Sequence, residues 1–354
     1  MNILNDAKQM DILDTQNMMG YLHSMPKDLQ LAWQMGLHLA LPKWDNITRV
    51  LICGMGGSAI GADMAATYAS YKGCVPVMVH RDYNLPEWVK GAETLVIASS
   101  HSGNTEETLS SFHEAGKRGC RRMAVCTGGK LAELADAEGA PVWRFKHEGQ
   151  PRAAVPYSFG LLLAALTQLN IIPNPEDEIS EAWKVMEKQR DELSPSVPVF
   201  KNPAKRQAGQ WMNRWVMVLG SDYLVPIARR WKGQISELAK AWAQFEALPE
   251  ADHNTLAGVF NPETILMQTT VMFLQAESNH PRNTLRAKLT RGMMLEQGMG
   301  TDVYMAPGHS ALAQMWSALQ FGDYAAYYLA MLYGVDPTPI PTLVALKESL
   351  NAVK

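Results

Sequence analysis

Gly54-Met55-Gly56-Gly57-Ser58-Ala59-Ile60-Gly61 follows the apolar run Val50-Leu51-Ile52-Cys53, and Ser99-Ser100-His101-Ser102-Gly103-Asn104-Thr105 follows Thr94-Leu95-Val96-Ile97-Ala98. Each apolar run reads as a buried strand, and each loop leads into a helical pattern, over 61–70 and 106–118. Both loops therefore sit at helix N-termini, where unpaired backbone N–H groups and the helix dipole favour an anion. Gly57 and the hydroxyl-bearing Ser58, Ser100, Ser102 and Thr105 are the candidate donors, and neither loop holds a Lys or Arg. Neutral donors converging from two neighbouring strands suit one phosphate on a small metabolite better than a nucleoside triphosphate.

Around these loops the chain alternates. Strand-like runs at 50–53, 75–80, 94–99, 123–127 and 141–145 are mostly separated by helical patterns, including 131–137. Such alternation implies a parallel sheet covered on both faces, with ligands at the carboxyl ends of its strands. A helical pair at 156–169 and 176–193 follows, then the turn-rich Leu193-Ser194-Pro195-Ser196-Val197-Pro198. Alternation restarts with a strand at 215–219, a helix at 227–247, a strand at 265–273, a helix at 281–297 and a strand at 301–305. Helices at 311–333 and 339–353 close the chain. The expected division is an N-terminal helical segment 1–40, a first α/β domain 41–175, a helix and linker 176–200, and a second α/β domain with C-terminal helices 201–354.

Composition narrows the class. The 354 residues, 47% apolar with formal net charge −3, suggest about two domains of ~150 residues and no nucleic-acid surface. The first residues show neither a basic region nor an apolar stretch of the signal-peptide kind, and no apolar run reaches the ~20 residues that span a bilayer. Cys53, Cys74, Cys120 and Cys126 lack CxxC spacing, and three lie in or beside strand-like runs, which suits buried thiols in a reducing cytoplasm. His80, His113, His147, His280 and His309 show no zinc-binding spacing. Trp211, Trp215, Trp231, Trp242 and Trp316 read as core or interface residues, and Met293 and Met294 as core filling.

A dinucleotide site competes for the first loop. Gly54, Gly56 and Ala59 fit the weak GxGxxG/A fingerprint, and Asp82 follows the next strand-like run. An NAD-dependent dehydrogenase is thus the alternative if that loop is taken alone. The second loop tells against it, because a dinucleotide does not require a Ser-x-Ser-Gly-x-Thr turn on the neighbouring strand. Helix capping by Ser102 or Thr105, with Glu106 and Glu107 in the first turn, explains one hydroxyl of the set and not the others.

Together the two loops resemble the sugar isomerase (SIS) domain. Further segments narrow the resemblance: Gly149-Gln150-Pro151-Arg152-Ala153-Ala154, Gln234-Ile235-Ser236-Glu237-Leu238-Ala239-Lys240, Pro249-Glu250-Ala251-Asp252-His253-Asn254, and Gly322-Asp323-Tyr324 with Gly334-Val335-Asp336-Pro337-Thr338-Pro339. From about Asp45 to Lys347 the chain is similar to the bifunctional phosphoglucose/phosphomannose isomerases. The resemblance implies two SIS-type, doubly wound, flavodoxin-like α/β domains and a cytoplasmic homodimer acting in glycolysis and gluconeogenesis. It implies an aldose–ketose isomerase for glucose 6-phosphate, fructose 6-phosphate and mannose 6-phosphate, with no metal and no cofactor. A phosphosugar-binding regulator is the other reading of an SIS fold, although residues 1–40 do not read as a helix-turn-helix domain.

Such an isomerase moves a proton between C2 and C1 through an enediolate. It needs a base, a positive group at the developing oxyanion, and acid/base groups that open the sugar ring. Glu237 falls opposite the stripe Ile235, Leu238, Ala239, Trp242 and Phe245, close to Gly233 and Ala241. Periodicity alone reads it as a solvated glutamate paired with Lys240 or Lys232. The resemblance implies that Glu237 is the base and that Arg152 stabilises the enediolate. It also implies that His253, reaching across from a second subunit, and Lys347 open the ring. Thr338 matches a threonine linked to accepting mannose 6-phosphate. His101 stands where the family usually has Tyr, and Ser236 where it often has Asn.

Overall fold

The computed structural model describes residues 3–352, so the expected helix end at Val353 lies outside the described residues. Helices α1 (Ala7–Leu13) and α2 (Met18–His38) precede a first β/α series: β1 (Arg49–Cys53), α3 (Gly56–Lys72), β2 (Val77–His80), β3 (Thr94–Ser100), α4 (Glu106–Lys117), β4 (Arg121–Cys126), α5 (Gly129–Ala137) and β5 (Val142–Arg144). Helices α6 (Val155–Gln168), α7 (Glu176–Leu193) and α8 (Pro203–Trp211) lead to a second series: β6 (Trp215–Ser221), α9 (Val225–Ala239), β7 (Ala243–Leu248), α10 (Glu263–Leu266), β8 (Thr269–Gln275), α11 (Pro281–Glu296) and β9 (Gly300–Met305). Helices α12 (Ala311–Tyr333) and α13 (Pro341–Ala352) follow.

The strands form two sheets, in the orders β2-β1-β3-β4-β5 and β7-β6-β8-β9, and every pairing is parallel. The expected α/β class with parallel sheets is the observed one. Alternate residues of each central strand enter different clusters. Val50, Ile52, Leu95, Ile97, Val216 and Val218 join one large core, while Leu51, Val96, Ala98, Met217 and Leu219 join smaller clusters on the opposite faces. Period-two alternation between two apolar faces is what a sheet covered on both sides demands. The large core is shared: it runs from both sheets through α2, α6 and α7 to α12, which is buried from Ala311 to Met331.

Two expected elements move. The helix expected over 227–247 stops at Ala239, because Lys240 takes a left-handed conformation (φ 54°) and the chain turns into β7, paired residue for residue with β6. Trp242 and Phe245 therefore leave the helical stripe. The strand expected from 265 begins at Thr269, after the turn of α10.

Candidate active site

β1 and β3 are neighbours in the first sheet although β2 intervenes in the chain, so their loops emerge side by side. The Ser58 Oγ accepts the His101 N–H at 3.2 Å and joins them directly. Ser100 Oγ lies 2.9 Å from Thr105 Oγ1 and accepts the Gly103 N–H at 3.1 Å. Ser102 Oγ, exposed, accepts the Asn104 N–H. Thr105 is the N-cap of α4, yet its side chain does not cap, and no side chain caps α3. Both helix starts thus keep backbone donors free for an anion.

Gly57 and Ser58 are buried at the start of α3. A Cβ on Gly57 would stand 2.5 Å from the Pro151 carbonyl oxygen and 3.1 Å from Arg152 Cα. Only glycine lets the first loop lie this close to the short turn Pro151–Ala153, which delivers Arg152 from β5 into the mostly buried start of α6. Arg152 is 2% exposed. Its Nη2 donates to the carbonyls of Pro337 (2.9 Å) and Thr338, and its Nη1 stands 3.5 Å from Glu237 Oε2. Burial lowers its affinity for the proton, and Glu237 opposes that. The guanidinium Nε and the Thr338 Oγ1 are both buried without a hydrogen-bond partner.

Glu237 lies near the C-terminus of α9, and its carboxylate pairs with Arg152 rather than with Lys240 or Lys232. Two turns earlier on the same face, Arg230 is buried against the fully buried Asp323 of α12, Nε to Oδ1 at 3.0 Å and Nη2 to Oδ2 at 2.6 Å. Arg230 Nη2 also donates to the Arg152 carbonyl at 2.7 Å. One face of α9 therefore fixes the backbone of Arg152 at one point and its guanidinium at another. Lys240 secures the other side. Although the residue is exposed overall, its ammonium turns onto three carbonyls, those of Glu237 (2.9 Å), Leu238 (3.2 Å) and Asp336 (2.7 Å). Burial, and then Arg152, push its pKa down to about 8. The segment 336–338 is thus held by Lys240 and itself holds Arg152.

A second tie joins α3 to α9. Asp63 receives Arg229 at 2.7 Å and also pairs with Arg81, whose guanidinium donates to the Ala59 carbonyl.

Within the chain, Gly57, Ser58, Ser100 and Thr105 come together, as do Arg152 and Glu237. His253 and Lys347 make no hydrogen bond or ion pair with them. His253 ends the turn Glu250–His253 and is exposed. Lys347 lies on α13, whose side chains are exposed from Pro341 to Leu350, among them Leu343, Val344 and Leu346.

Arg230, Lys240 and Asp323 carry structural weight that their sequence neighbourhood only partly announces. Asp323 is the one charged residue of α12, and an acid alone in an apolar helix signals a buried partner. Arg230 has no such mark.

Three comparisons bear on the chain. Residues 200–350 match the model of the bacterial phospho-glucose isomerase C-terminal SIS domain. The bifunctional phosphoglucose/phosphomannose isomerase of Caldicellulosiruptor bescii is 39% identical over 335 residues, covering 94% of this chain and 98% of the relative. That of Aquifex aeolicus is 33% identical, covering 87% and 94%. Among solved structures, the C-terminal domain of glucosamine-fructose-6-phosphate aminotransferase from Francisella tularensis superposes with a TM-score of 0.69 at 13% identity, over 91% of this chain and 98% of that one. This last likeness is one of fold.

Proposed function

The chain belongs to the bifunctional phosphoglucose/phosphomannose isomerase family, and on that premise we propose how its residues interconvert glucose 6-phosphate and mannose 6-phosphate with fructose 6-phosphate. The two loops grip the phosphate through the free N–H groups of α3 and α4 and the hydroxyls of Ser58, Ser100, Ser102 and Thr105. That grip anchors the non-reacting end, so its binding energy positions C1 and C2. Glu237 shuttles the proton between C2 and C1. Arg152 stabilises the enediolate charge, which develops only as the reaction proceeds.

The observation that carries this reading is the pair formed by the buried Arg152 and Glu237, 3.5 Å apart beside the phosphate loops. The unpartnered Arg152 Nε and Thr338 Oγ1 support it. A buried donor without an acceptor is costly, and the hydroxyls of an open-chain sugar supply acceptors. Substrate and product are isomers, so the balance calls for no electron or group carrier.

Ring opening falls to Lys347 and to His253 of a second copy, which makes the working unit a homodimer. The exposure of His253, of Trp242 (76%) and of the apolar side chains of α13 supports a covering partner. The four free cysteines suit a reducing cytoplasm.

The test is fructose 6-phosphate incubated with the protein in deuterium oxide. Glucose 6-phosphate and mannose 6-phosphate should form carrying deuterium at C2. Failure of both aldoses to form would overturn the reading.

A further inference from the structure

Both phosphate loops are braced against the residues that lead into Arg152. The first loop does so through Gly57 beneath Pro151. The second does so through a side chain. His101 Nε2 meets His147 Nδ1 at 3.0 Å, and His147 lies on the segment between β5 and Arg152. The main chain of His101 is already committed: its N–H goes to Ser58, and its carbonyl accepts from both Thr127 N and Oγ1. Its ring is left to reach the segment.

The surroundings fix both imidazoles. Phe145 meets His101 edge-on and stacks on Tyr157, while Tyr21 and Tyr157 flank His147. A Cβ on Gly149 would stand 2.6 Å from Tyr21 Cζ and 2.9 Å from His147 Cε1, so the rings press directly on the backbone three residues before Arg152. Burial holds both rings neutral, His101 near 4 with His147 adding to the effect. One N–H then lies between two nitrogens, and the bond is lost only when both rings carry a proton on each nitrogen. The groups that face the pair are the Asp28 carboxylate, bonded to the Tyr157 hydroxyl, and the phenols of Tyr21 and Tyr157.

We propose that the His101–His147 hydrogen bond is a positioning latch: it keeps the second phosphate loop and the Arg152 turn in one register, so that gripping the phosphate also sets the guanidinium against Glu237. The latch rests on the reading of the site given above. His101 and His147 touch no reacting atom in it. They act through the loop and through Arg152.

The test compares two ligands that report on the two ends. Inorganic phosphate reads the loops alone. A five-carbon aldonic acid phosphate, whose carboxylate stands in for the enediolate, reads the loops and Arg152 together. In His147→Phe the ring stays and the bond goes. Its inhibition constant for phosphate should rise about 10-fold, the worth of one hydrogen bond near 1.4 kcal/mol. That for the aldonate should rise about 100-fold, as misplacing a charge-stabilising group adds to the loss. His147→Asn keeps a hydrogen-bonding atom near the Nδ1 position and should return both constants to within about 3-fold of the parent.

If His147→Phe does not fold, His101→Leu against His101→Gln gives the same comparison from the other side. Unchanged constants in the broken variant overturn the latch, as does an equal rise for the two ligands, or a failure of the amide variant to rescue. A parent chain that binds neither ligand overturns the site reading and the latch together, whereas a parent that binds both separates the two.

Discussion

Arg152 and Glu237 meet at 3.5 Å although one comes from the exit of the first sheet and the other from a helix of the second β/α series. The contact joins the turn that lies against Gly57 to the carboxylate on α9. It also fixes what a change at either residue does.

Glu237→Gln keeps the shape of the side chain and removes the proposed base. Turnover should fall by about 10³-fold or more, within the range that a positioned proton-transfer group supplies. Binding of the aldonate phosphate should persist, as measured by calorimetry. Near-normal turnover in this variant would remove Glu237 from the mechanism.

Gly57→Ala places a methyl 2.5 Å from a carbonyl oxygen on the turn that carries Arg152. Backbone must give way, at about 1–3 kcal/mol of stability. KM should rise and kcat fall together, because the loop and Arg152 shift as one. Thermal unfolding and steady-state kinetics on one preparation check both effects.

Arg230 and Asp323 are a buried, two-point ion pair. Removing one partner, as in Asp323→Leu or Arg230→Met, strands a buried charge and should cost about 3–5 kcal/mol in denaturant unfolding. The double variant should be more stable than the sum of the two losses allows. It should still be slow, since the Arg152 carbonyl has lost its donor.

Lys240 satisfies three carbonyls with three N–H groups. Its pKa of about 8 lies below the ordinary lysine value, so raising the pH through that point removes a proton and leaves two donors for three acceptors. The segment that holds Arg152 then loosens, and kcat/KM should decline on the alkaline side. Lys240→Arg, which keeps its charge at all accessible pH, should carry the decline to higher pH. A profile with the same alkaline limb in both proteins would assign the limb elsewhere.

His253 is tested by mixing. If the working unit is the proposed dimer, the Glu237→Gln and His253→Gln proteins should each be nearly inactive. When subunits exchange, half of the dimers are mixed, and each mixed dimer has one intact site if the histidine crosses over. Recovery of about a quarter of the parent activity is expected for a two-fold dimer. No recovery would place His253 in its own subunit's site, and an active His253→Gln protein before mixing would place it in none.

Much of the first sheet was legible because its strands are short apolar runs bounded by loops of marked composition. The run 239–248 misled: Ala-Lys-Ala-Trp-Ala-Gln-Phe-Glu-Ala-Leu carries helix formers at helical spacing. Its pairing with β6 is non-local and overrides propensity. The two loops declared themselves by composition. The Arg152–Glu237 contact did not, because nothing in local spacing brings together residues so far apart in the chain. The family resemblance singled out both residues, whereas their ties to Pro337, Thr338, Arg230 and Lys240 are tertiary facts.

The core that fills the space between the two sheets has a thermodynamic consequence. Each half covers one face of its own sheet but shares the other with its neighbour, so severing the chain near residue 200 would leave two fragments each with an uncovered apolar face. Heating should produce a single cooperative transition whose calorimetric and van't Hoff enthalpies agree for the folded unit. The same shared interior ties the loops after β1 and β3 to the helix that carries Glu237, so the separation between them is set by packing rather than by a linker.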